Sequence, residues 1–181
     1  MATLSPFWLW DNALPPELLD LARKEMDALP LARGRLHGDR EADDGVRKSD
    51  VLMMAPNHWL CGVLFNYAVL ANDVAGWGRA ISKPQTIQFG RYGVQDHYTW
   101  HADTHLLADE PLSRKITAIC LLSRKDEFEG GLFEIEGYAQ PIPLDYGSVI
   151  AFPAVLRHRV TSVTRGERRS ATCWALGETR W

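Results

Sequence analysis

The sequence lacks an excess of basic residues and any long apolar run. Its 20 lysines and arginines are outnumbered by 23 aspartates and glutamates, so the formal net charge over 181 residues is −3. Proteins that bind nucleic acid through its phosphates usually present a basic face, so no nucleic-acid partner is expected. No apolar run approaches the roughly 20 residues that span a bilayer, and Met1–Phe7 lacks the charged start and apolar core of a signal peptide. A cytoplasmic protein without a membrane partner is predicted.

Cysteine is also scarce, because the chain contains only Cys61, Cys120 and Cys173. The number is odd and no Cys-x-x-Cys spacing occurs, so neither a disulfide framework nor a zinc site is indicated. Cys120 and Cys173 fall within apolar, strand-like runs, where a thiol packs as a small hydrophobic group. We therefore expect buried free thiols.

The length and apolar content predict one domain over residues 1–181. Apolar residues make up 46% of the chain, and no linker, repeat or low-complexity tract interrupts it. We expect residues 1–84 to form a helical N-terminal support with a lid loop, and residues 85–178 to form the core. The sequence does not indicate an oligomeric state.

Two segments with helical periodicity precede the core. The first is opened by Pro15, Pro16 and Glu17 and carries one apolar stripe, made of Leu18, Leu19, Ala22, Met26 and Leu29. The second is predicted from His58 to about Val74 with Asn57 as its N-cap, and its inner face comprises Trp59, Leu60, Val63, Leu64, Tyr67 and Leu70. From Thr86 onwards, short alternating runs between turn residues predict an antiparallel sandwich or barrel with these helices packed outside.

Two histidines and one aspartate form the most informative pattern. His101 and Asp103 are two residues apart, and on a strand such side chains share a face with Cα atoms about 6.5–7 Å apart. The third ligand must then come from a neighbouring strand, and His158 lies between two strand-like runs. Two imidazoles and one carboxylate occupy one face of an octahedral ferrous ion, which leaves three positions for a co-substrate and dioxygen. A catalytic Fe(II) site is therefore predicted.

Other histidines serve as comparisons for this motif. A second His-x-Asp, formed by His37 and Asp39, lies in a polar, glycine-containing stretch without strand periodicity, where a solvated loop is predicted. His97 and His105 add to the histidines near His101, but a facial triad needs neither of them.

The segment around His101 resembles the prolyl 4-hydroxylase type of Fe(II)/2-oxoglutarate dioxygenase. That family's pattern is a Tyr-Gly, a tyrosine three residues before the histidine and then His-x-Asp, matched here by Tyr92, Tyr98 and His101-Ala-Asp103. Four later blocks are similar in the same order: Arg114-Lys-Ile-Thr117, Gly130-Gly131, the strand-like residues 143–152 and residues 166–174. Residues before Ser49 contribute little, although Arg47-Lys48-Ser49 is similar to an Arg-x-Ser strand of relatives.

This resemblance implies a mainly β fold with flanking helices, namely a double-stranded β-helix (jelly roll) with the N-terminal helices packed outside. It implies Fe(II), 2-oxoglutarate and O2, with ascorbate as a candidate reductant. The reaction would hydroxylate an unactivated C–H bond, first of all in a peptidyl proline, and release succinate and CO2. A free amino acid or small metabolite is the second candidate substrate, and repair demethylation is a distant third. The alternative outside the enzymes is a non-enzymatic jelly-roll protein that binds a metal or another ligand.

Strand alternation predicts which face of the strand each arginine near the C-terminus occupies. In an extended segment, Arg168, Ser170, Thr172 and Trp174 share one face, and Arg169, Ala171 and Cys173 share the other. In the resembled family a Lys or Arg at the first position pairs with the distal carboxylate of 2-oxoglutarate, and a small residue two positions later leaves room for it. Arg168 and Ser170 fit, and Tyr92 and Thr117 would add hydroxyl hydrogen bonds. The alternatives are an exposed basic turn and ordinary strand hydroxyls.

Substrate-contacting residues are less well defined by the sequence. Tyr98 and Trp100 flank His101 and are candidates for the wall of the substrate pocket, as is Trp174, although aromatic strand residues are more often simply packed. The polar segment from Arg33 to about Asp50 contains three glycines and is predicted to be a mobile loop. The resemblance implies a lid, because the segment precedes the sheet where relatives close a lid over an extended peptide. A plain surface loop is the alternative.

Overall fold

Two helices and thirteen strands form the part of the chain that the computed structural model describes, residues 5–34, 43–104 and 111–179. The helices are α1 (Pro16–Ala28) and α2 (Trp59–Val74). The strands are β1 (Trp8–Trp10), β2 (Ala32–Arg33), β3 (Arg47–Lys48), β4 (Asp50–Met54), β5 (Lys83–Tyr92), β6 (His97–His101), β7 (Leu112–Leu121), β8 (Phe128–Gly130), β9 (Phe133–Ile135), β10 (Val149–Pro153), β11 (His158–Val160), β12 (Val163–Gly166) and β13 (Arg168–Glu178). None of the described helices has both the length and the apolar content needed to cross a membrane.

The strands form two main antiparallel sheets. The larger sheet has seven strands in the order β1-β10-β7-β13-β5-β4-β2, and the smaller has four in the order β3-β6-β11-β9. Strands β12 and β8 form a further two-stranded ribbon. The predicted antiparallel sandwich with helices on its outside is confirmed.

Two hydrophobic cores lie on opposite faces of the seven-stranded sheet. On one face, α1 and α2 pack against side chains such as Phe89 and Cys120. On the other face, the two sheets enclose a second cluster that includes Phe133 and Phe152. Alternation along β13 directs Ala171 and its helix-side neighbours into the first core and leaves the intervening side chains facing the smaller sheet. Polar residues that face the smaller sheet therefore lie between the sheets.

Helix α1 matches the prediction except at its end. Pro16 is its first residue, where the missing proline N–H costs nothing, and Leu19, Ala22 and Met26 are buried. Leu29, predicted to belong to the apolar stripe, is instead the extended C-cap and is 41% exposed. The chain leaves the helix at this residue, so the helical periodicity no longer applies to it.

Helix α2 begins one residue later than predicted and buries most, but not all, of its predicted inner face. His58, rather than Asn57, is the N-cap, because its Nδ1 accepts a hydrogen bond from the backbone N of Leu60 at 3.3 Å. Of the predicted inner face, Leu60 and Leu64 are buried and Trp59, Val63 and Tyr67 pack partly buried against the core, but Leu70 is 43% exposed. Cys61, Ala68 and Ala71 are buried in addition. Apolar residues occur on nearly every face of α2, so periodicity does not fully define its inner face, and the small side chains let it lie close to the sheet.

The N-terminal segment contributes strands as well as helices. β1, β2 and β4 complete the larger sheet, and β3 pairs with β6 in the smaller one. The predicted boundary near residue 85, between the N-terminal support and the core, therefore does not separate two structural units. Strands from both segments lie in the same two sheets. One domain over residues 1–181 stays a prediction. All three cysteines are free and buried, as expected.

Substituting Phe89 with alanine should strongly destabilise the fold. Phe89 is fully buried between the helices and the larger sheet, so the change leaves a cavity and costs about 3–5 kcal/mol of unfolding free energy. Val94→Ala is the control, since Val94 is 54% exposed and its loss should change stability by less than about 0.5 kcal/mol. Urea unfolding measures both, and equal effects would contradict the assigned core.

Candidate metal centre and co-substrate pocket

His101, Asp103 and His158 converge between the two sheets. His101 ends β6 and His158 begins β11, and the two residues face each other directly in the strand pairing. One ligand atom of each of the three residues lies within 4.8 Å of the others. Nε2 of His101 is 3.6 Å from Oδ1 of Asp103, and Nε2 of His158 is 3.7 Å from Oδ2. The donor set, two imidazoles and one carboxylate, fits one face of a ferrous ion.

Asp103 reaches this site by a turn rather than by strand alternation. Strand β6 ends at His101, so the prediction that His101 and Asp103 share one strand is wrong. Instead, the backbone N–H groups of Asp103 and Thr104 both donate to the carbonyl of Ala154, at 2.9 and 3.0 Å. This shared acceptor holds the turn against the end of β10 and directs the carboxylate towards the two histidines.

Backbone carbonyls set the tautomer of both histidines. Nδ1 of His101 lies 2.7 Å from the carbonyl oxygen of Thr99, and Nδ1 of His158 lies 3.0 Å from that of Leu156. A carbonyl only accepts, so Nδ1 carries the proton and the lone pair of Nε2 faces the site. Burial, and next the repulsion that a protonated His158 would exert, lower the pKa of His101 to about 3. The imidazole is therefore neutral near pH 7, as metal binding requires.

The Asp103 carboxylate is held by two donors from the larger sheet. Its Oδ2 accepts from the Thr117 hydroxyl at 2.7 Å and from Nε1 of Trp174 at 3.0 Å. Thr117 and Trp174 are direct cross-strand partners on β7 and β13. Burial would raise the pKa of Asp103, but the positive charge that His158 and His101 carry when protonated outweighs burial and holds the pKa below its ordinary value. The carboxylate is therefore ionised.

These contacts change two predicted roles. Thr117 was expected to bond the co-substrate, but it does not line the cavity, and its hydroxyl is directed to Asp103. Trp174 was expected to contact the substrate; it does line the cavity, and its indole N–H orients Asp103. Thr117 and Trp174 therefore both support Asp103, a candidate metal ligand. Sequence spacing alone does not reveal these contacts, because they cross between the two sheets.

A cavity of about 540 Å³ opens beside the three candidate ligands. This volume lies within the range usual for small-molecule sites. Besides the triad, its wall includes the predicted residues Tyr92, Tyr98, Arg168, Ser170, Thr172 and Trp174. The residues that strand alternation placed on one face of β13 therefore all line the cavity.

Arg168 is a buried cation on this wall. Its side chain is 2% exposed, its Nη1 donates to the Ser170 hydroxyl at 3.3 Å, and its guanidinium carbon lies 5.6 Å from the centre of the Tyr92 ring. Across residues 5–34, 43–104 and 111–179, no carboxylate forms an ion pair with Arg168. Burial accordingly lowers the pKa of Arg168. An uncompensated buried charge is costly, so this arrangement favours an anionic ligand in the cavity.

The neighbouring arginines differ from Arg168 in this respect. Arg165 pairs with Glu129 at 2.9 Å, and Arg169 pairs with Asp27 at 2.8 Å. The alternative of an exposed basic turn therefore describes Arg165 but not Arg168. Strand alternation is the reason, because it turns Arg168 inward and Arg169 outward.

The Gly-Gly turn after β8 packs against Arg168. Gly131 has φ +56°, and a Cβ added there would lie 2.9 Å from Cδ of Arg168. A larger residue at this position would be strained and would push the guanidinium out of place. The Gly-Gly motif thus helps to shape the part of the cavity that Arg168 lines.

A bulge in β6 decides which aromatic residue faces the site. Tyr98 pairs with Val160 while His101 pairs with His158, so β6 has one residue more than β11 over this interval. Tyr98 consequently stacks on His101 with ring centres 3.4 Å apart. Trp100 is not part of the cavity wall and lies instead 4.7 Å below the guanidinium of Arg159, so its predicted place in the substrate pocket is wrong.

Some predictions concern residues that lie outside the described part of the chain. These are the His37 and Asp39 motif, His105 and residues 35–42 of the predicted lid. The described remainder of that segment contains β3 and the start of β4, so it is not entirely loop. His97 is not part of the triad, and its Nδ1 contacts the carbonyl of Gln95 at 3.1 Å.

Comparison with known sequences agrees with this site. The profile of the 2OG-Fe(II) oxygenase superfamily matches residues 87–176. A PKHD-type hydroxylase of Acidovorax ebreus is 32% identical over 100 residues, which cover 50% of this chain and 44% of that protein. A PKHD-type hydroxylase of Xanthomonas euvesicatoria is 27% identical over 177 residues, which cover 90% of this chain and 75% of that protein. The chain thus spans less than half of the first of these relatives.

Solved structures show the same fold. A Pseudomonas putida prolyl-4-hydroxylase superposes with a TM-score of 0.71 at 19% identity, covering 94% of this chain and 92% of that one. A Trichoplax adhaerens prolyl hydroxylase, solved in complex with a peptide fragment of the hypoxia inducible factor oxygen degradation domain, gives 0.70 at 16% identity, covering 94% and 83%. The predicted double-stranded β-helix is confirmed.

Removing the support of Asp103 should weaken metal binding. Trp174→Phe keeps an aromatic ring but loses the hydrogen bond to Oδ2, so Fe(II) affinity should fall about 10–100-fold, and alanine at any of His101, Asp103 or His158 should abolish binding. Anaerobic calorimetric titration with Fe(II) measures this. His97→Ala is the control and should bind Fe(II) normally; unchanged affinity in Asp103→Ala would refute the site.

Proposed function

Through residues 87–176 the chain belongs to the 2OG-Fe(II) oxygenase superfamily, of the prolyl 4-hydroxylase type, and we propose that it hydroxylates an unactivated C–H bond. One observation supports a role beyond metal binding. The buried guanidinium of Arg168 has no carboxylate partner among the described residues, and it lines the same cavity as the triad. A dicarboxylate co-substrate held by Arg168 in this cavity would compensate the buried charge beside the candidate metal ligands.

The residues present fit the iron and its co-substrate. His101, Asp103 and His158 would hold Fe(II), which activates dioxygen when bound. The remote carboxylate of 2-oxoglutarate would accept two parallel hydrogen bonds from Arg168, a geometry that suits a buried clamp. The small Ser170 leaves room beside the guanidinium, and Tyr92 lines the same wall. The overall reaction consumes 2-oxoglutarate, O2 and the C–H substrate and yields the alcohol, succinate and CO2.

A peptidyl proline is the proposed substrate. Several relatives are named as prolyl hydroxylases, and one was solved with a peptide fragment, which supports a peptide here. A free amino acid or small metabolite is the second candidate, because a cavity of about 540 Å³ also accommodates such a molecule. The non-enzymatic binder is disfavoured, since it leaves the buried Arg168 without a role. Ascorbate as reductant and the cytoplasmic location stay predictions.

Replacing Arg168 should selectively impair the use of 2-oxoglutarate. Arg168→Ala leaves the remote carboxylate buried without a cation, which costs about 2–5 kcal/mol of binding free energy. Arg168→Lys should retain part of the affinity, because the charge remains while the paired geometry is lost. The 2-oxoglutarate dependence of succinate formation reports both changes.

The matched controls are Arg165→Ala and Arg169→Ala. Both residues are paired with carboxylates outside the cavity, so 2-oxoglutarate affinity should be nearly unchanged. Equal losses at Arg165, Arg168 and Arg169 would show that Arg168 has no special role.

Proline-containing peptides should stimulate succinate formation and gain one oxygen atom. Mass spectrometry of the peptides, run beside a succinate assay, tests this directly. Free L-proline is tested beside the peptides as the comparison substrate. Rapid turnover of free proline or another metabolite, with none for any peptide, would replace the peptide with the second candidate.

A further inference from the structure

Two of the three cysteines are in contact in the core between the helices and the larger sheet. Cys61 lies in the first turn of α2, Cys173 lies on β13, 112 residues later in the chain, and their sulfur atoms are 3.7 Å apart. Both side chains are buried, and both thiols are free. Cys120 is equally buried, but its hydrogen bond goes to the carbonyl of Leu121 at 3.8 Å. Cys120 therefore serves as an internal comparison for the pair.

The thiols of the pair differ in acidity. Cys61 is the third residue of α2, where the positive end of the helix dipole favours a thiolate. The hydrogen bond with Cys173 lowers the pKa of Cys61 and outweighs the opposing effect of burial. The same hydrogen bond, together with burial, raises the pKa of Cys173, and burial raises the pKa of Cys120 to about 12. Cys61 is therefore the cysteine that ionises most readily, and the thiolate is the form that attacks an oxidant.

A bond between the two sulfurs requires a short movement. A disulfide bond is about 2.05 Å long, so the sulfurs must approach each other by about 1.7 Å. The strand is irregular at this point, because the register of β13 against β5 shifts between Cys173 and Ala175. We propose that Cys61 and Cys173 form a reversible disulfide when the protein meets a small hydroperoxide. The bond would be an oxidation-sensitive crosslink between α2 and β13.

The oxidation proceeds in two balanced steps. The Cys61 sulfur attacks one oxygen of hydrogen peroxide and breaks the O–O bond, and the leaving hydroxide takes the thiol proton and departs as water. Cys61 is then a sulfenic acid. The Cys173 sulfur attacks the Cys61 sulfur, the S–O bond breaks, and the hydroxyl group leaves with the Cys173 proton as a second water. The two sulfurs together lose two electrons, which the peroxide gains.

Burial determines which oxidants can react with the pair. Cys61 is 0% exposed and Cys173 is 1% exposed, so a bulky thiol reagent does not reach either sulfur while α2 is packed on the sheet. Hydrogen peroxide is small and uncharged, and local opening at the first turn of α2 is sufficient to admit it. Oxidation of the folded protein should therefore be slower than that of an exposed thiol, and it should be selective for small oxidants.

The crosslink would form next to the candidate metal centre. Cys173 faces the helices, whereas the following residue, Trp174, faces the cavity and donates to Oδ2 of Asp103 at 3.0 Å. The helices and Asp103 lie on opposite sides of the larger sheet, so a movement of Cys173 towards α2 draws Trp174 away from Asp103. We therefore expect oxidation to weaken this hydrogen bond and, with it, the binding of Fe(II).

Peptide mapping tests the disulfide directly. The metal-free protein is treated with a small excess of hydrogen peroxide, remaining thiols are alkylated in denaturant, and the digest is analysed by mass spectrometry. The peptide with Cys61 should be joined to the peptide with Cys173, while Cys120 is alkylated. Dithiothreitol should restore all three thiols by exchange. Absence of the joined peptides after treatment overturns the proposal.

Single variants assign the reaction to the pair. Cys61→Ala and Cys173→Ala should each abolish the joined peptides. In Cys173→Ala, oxidation should stop at the Cys61 sulfenic acid, which dimedone traps. Cys120→Ala is the matched control, because it removes an equally buried thiol and should leave the disulfide unchanged. Urea unfolding shows whether each variant folds, and the joined peptides of the wild-type protein decide the proposal independently of that result.

Fe(II) titration tests the link to Asp103. After the peroxide is removed, the oxidised protein should bind Fe(II) several-fold more weakly than the reduced protein, within the roughly 10–100-fold expected for complete loss of the Trp174 hydrogen bond. Trp174→Phe lacks this hydrogen bond, so its affinity should not respond to oxidation. Equal affinity of the oxidised and reduced wild-type protein would overturn the link to the metal centre. None of these measurements requires 2-oxoglutarate turnover, so their failure leaves the hydroxylase function intact.

Discussion

The buried carboxylate of Asp103 is the constraint on which the site depends. A charge removed from water is tolerated only when surrounding groups compensate it. Here Thr117 and Trp174 of the larger sheet donate to it, while His101 and His158 of the smaller sheet lie close by. The same carboxylate thus draws on both sheets at the point where they meet, which places the metal site inside the sandwich.

The same principle applies to a second buried charge in the cavity. Arg168 is buried without a carboxylate partner among the residues described, and it lines the same cavity as the candidate metal ligands. A buried cation of this kind is unfavourable by itself and favourable when an anion binds beside it. The proposed dicarboxylate co-substrate would compensate Arg168, as the proposed Fe(II) would compensate Asp103, so the binding of both depends on the same electrostatic arrangement.

Irregular strands position several of the groups that matter. The bulge in β6 brings Tyr98 onto His101 and turns Trp100 away. In β7, Lys115 is an extra residue relative to β13, and this second bulge turns Arg114 to the cavity. Regular alternation predicts side-chain direction only within an unbroken ladder, as it did for Arg168 in β13. Where an extra residue enters one strand, every later side chain changes face, and nothing in the local sequence marks the point.

The sequence by itself determined the fold class, the three candidate metal ligands and the inward-facing arginine, because strand periodicity and ligand chemistry are local properties. Only the tertiary structure decided that Thr117 and Trp174 orient Asp103, that Trp100 lies outside the cavity and that α2 buries a face without Leu70. These features depend on which strands pair, in which register and with which bulges. Register results from the packing of distant segments, so no window of the sequence contains it.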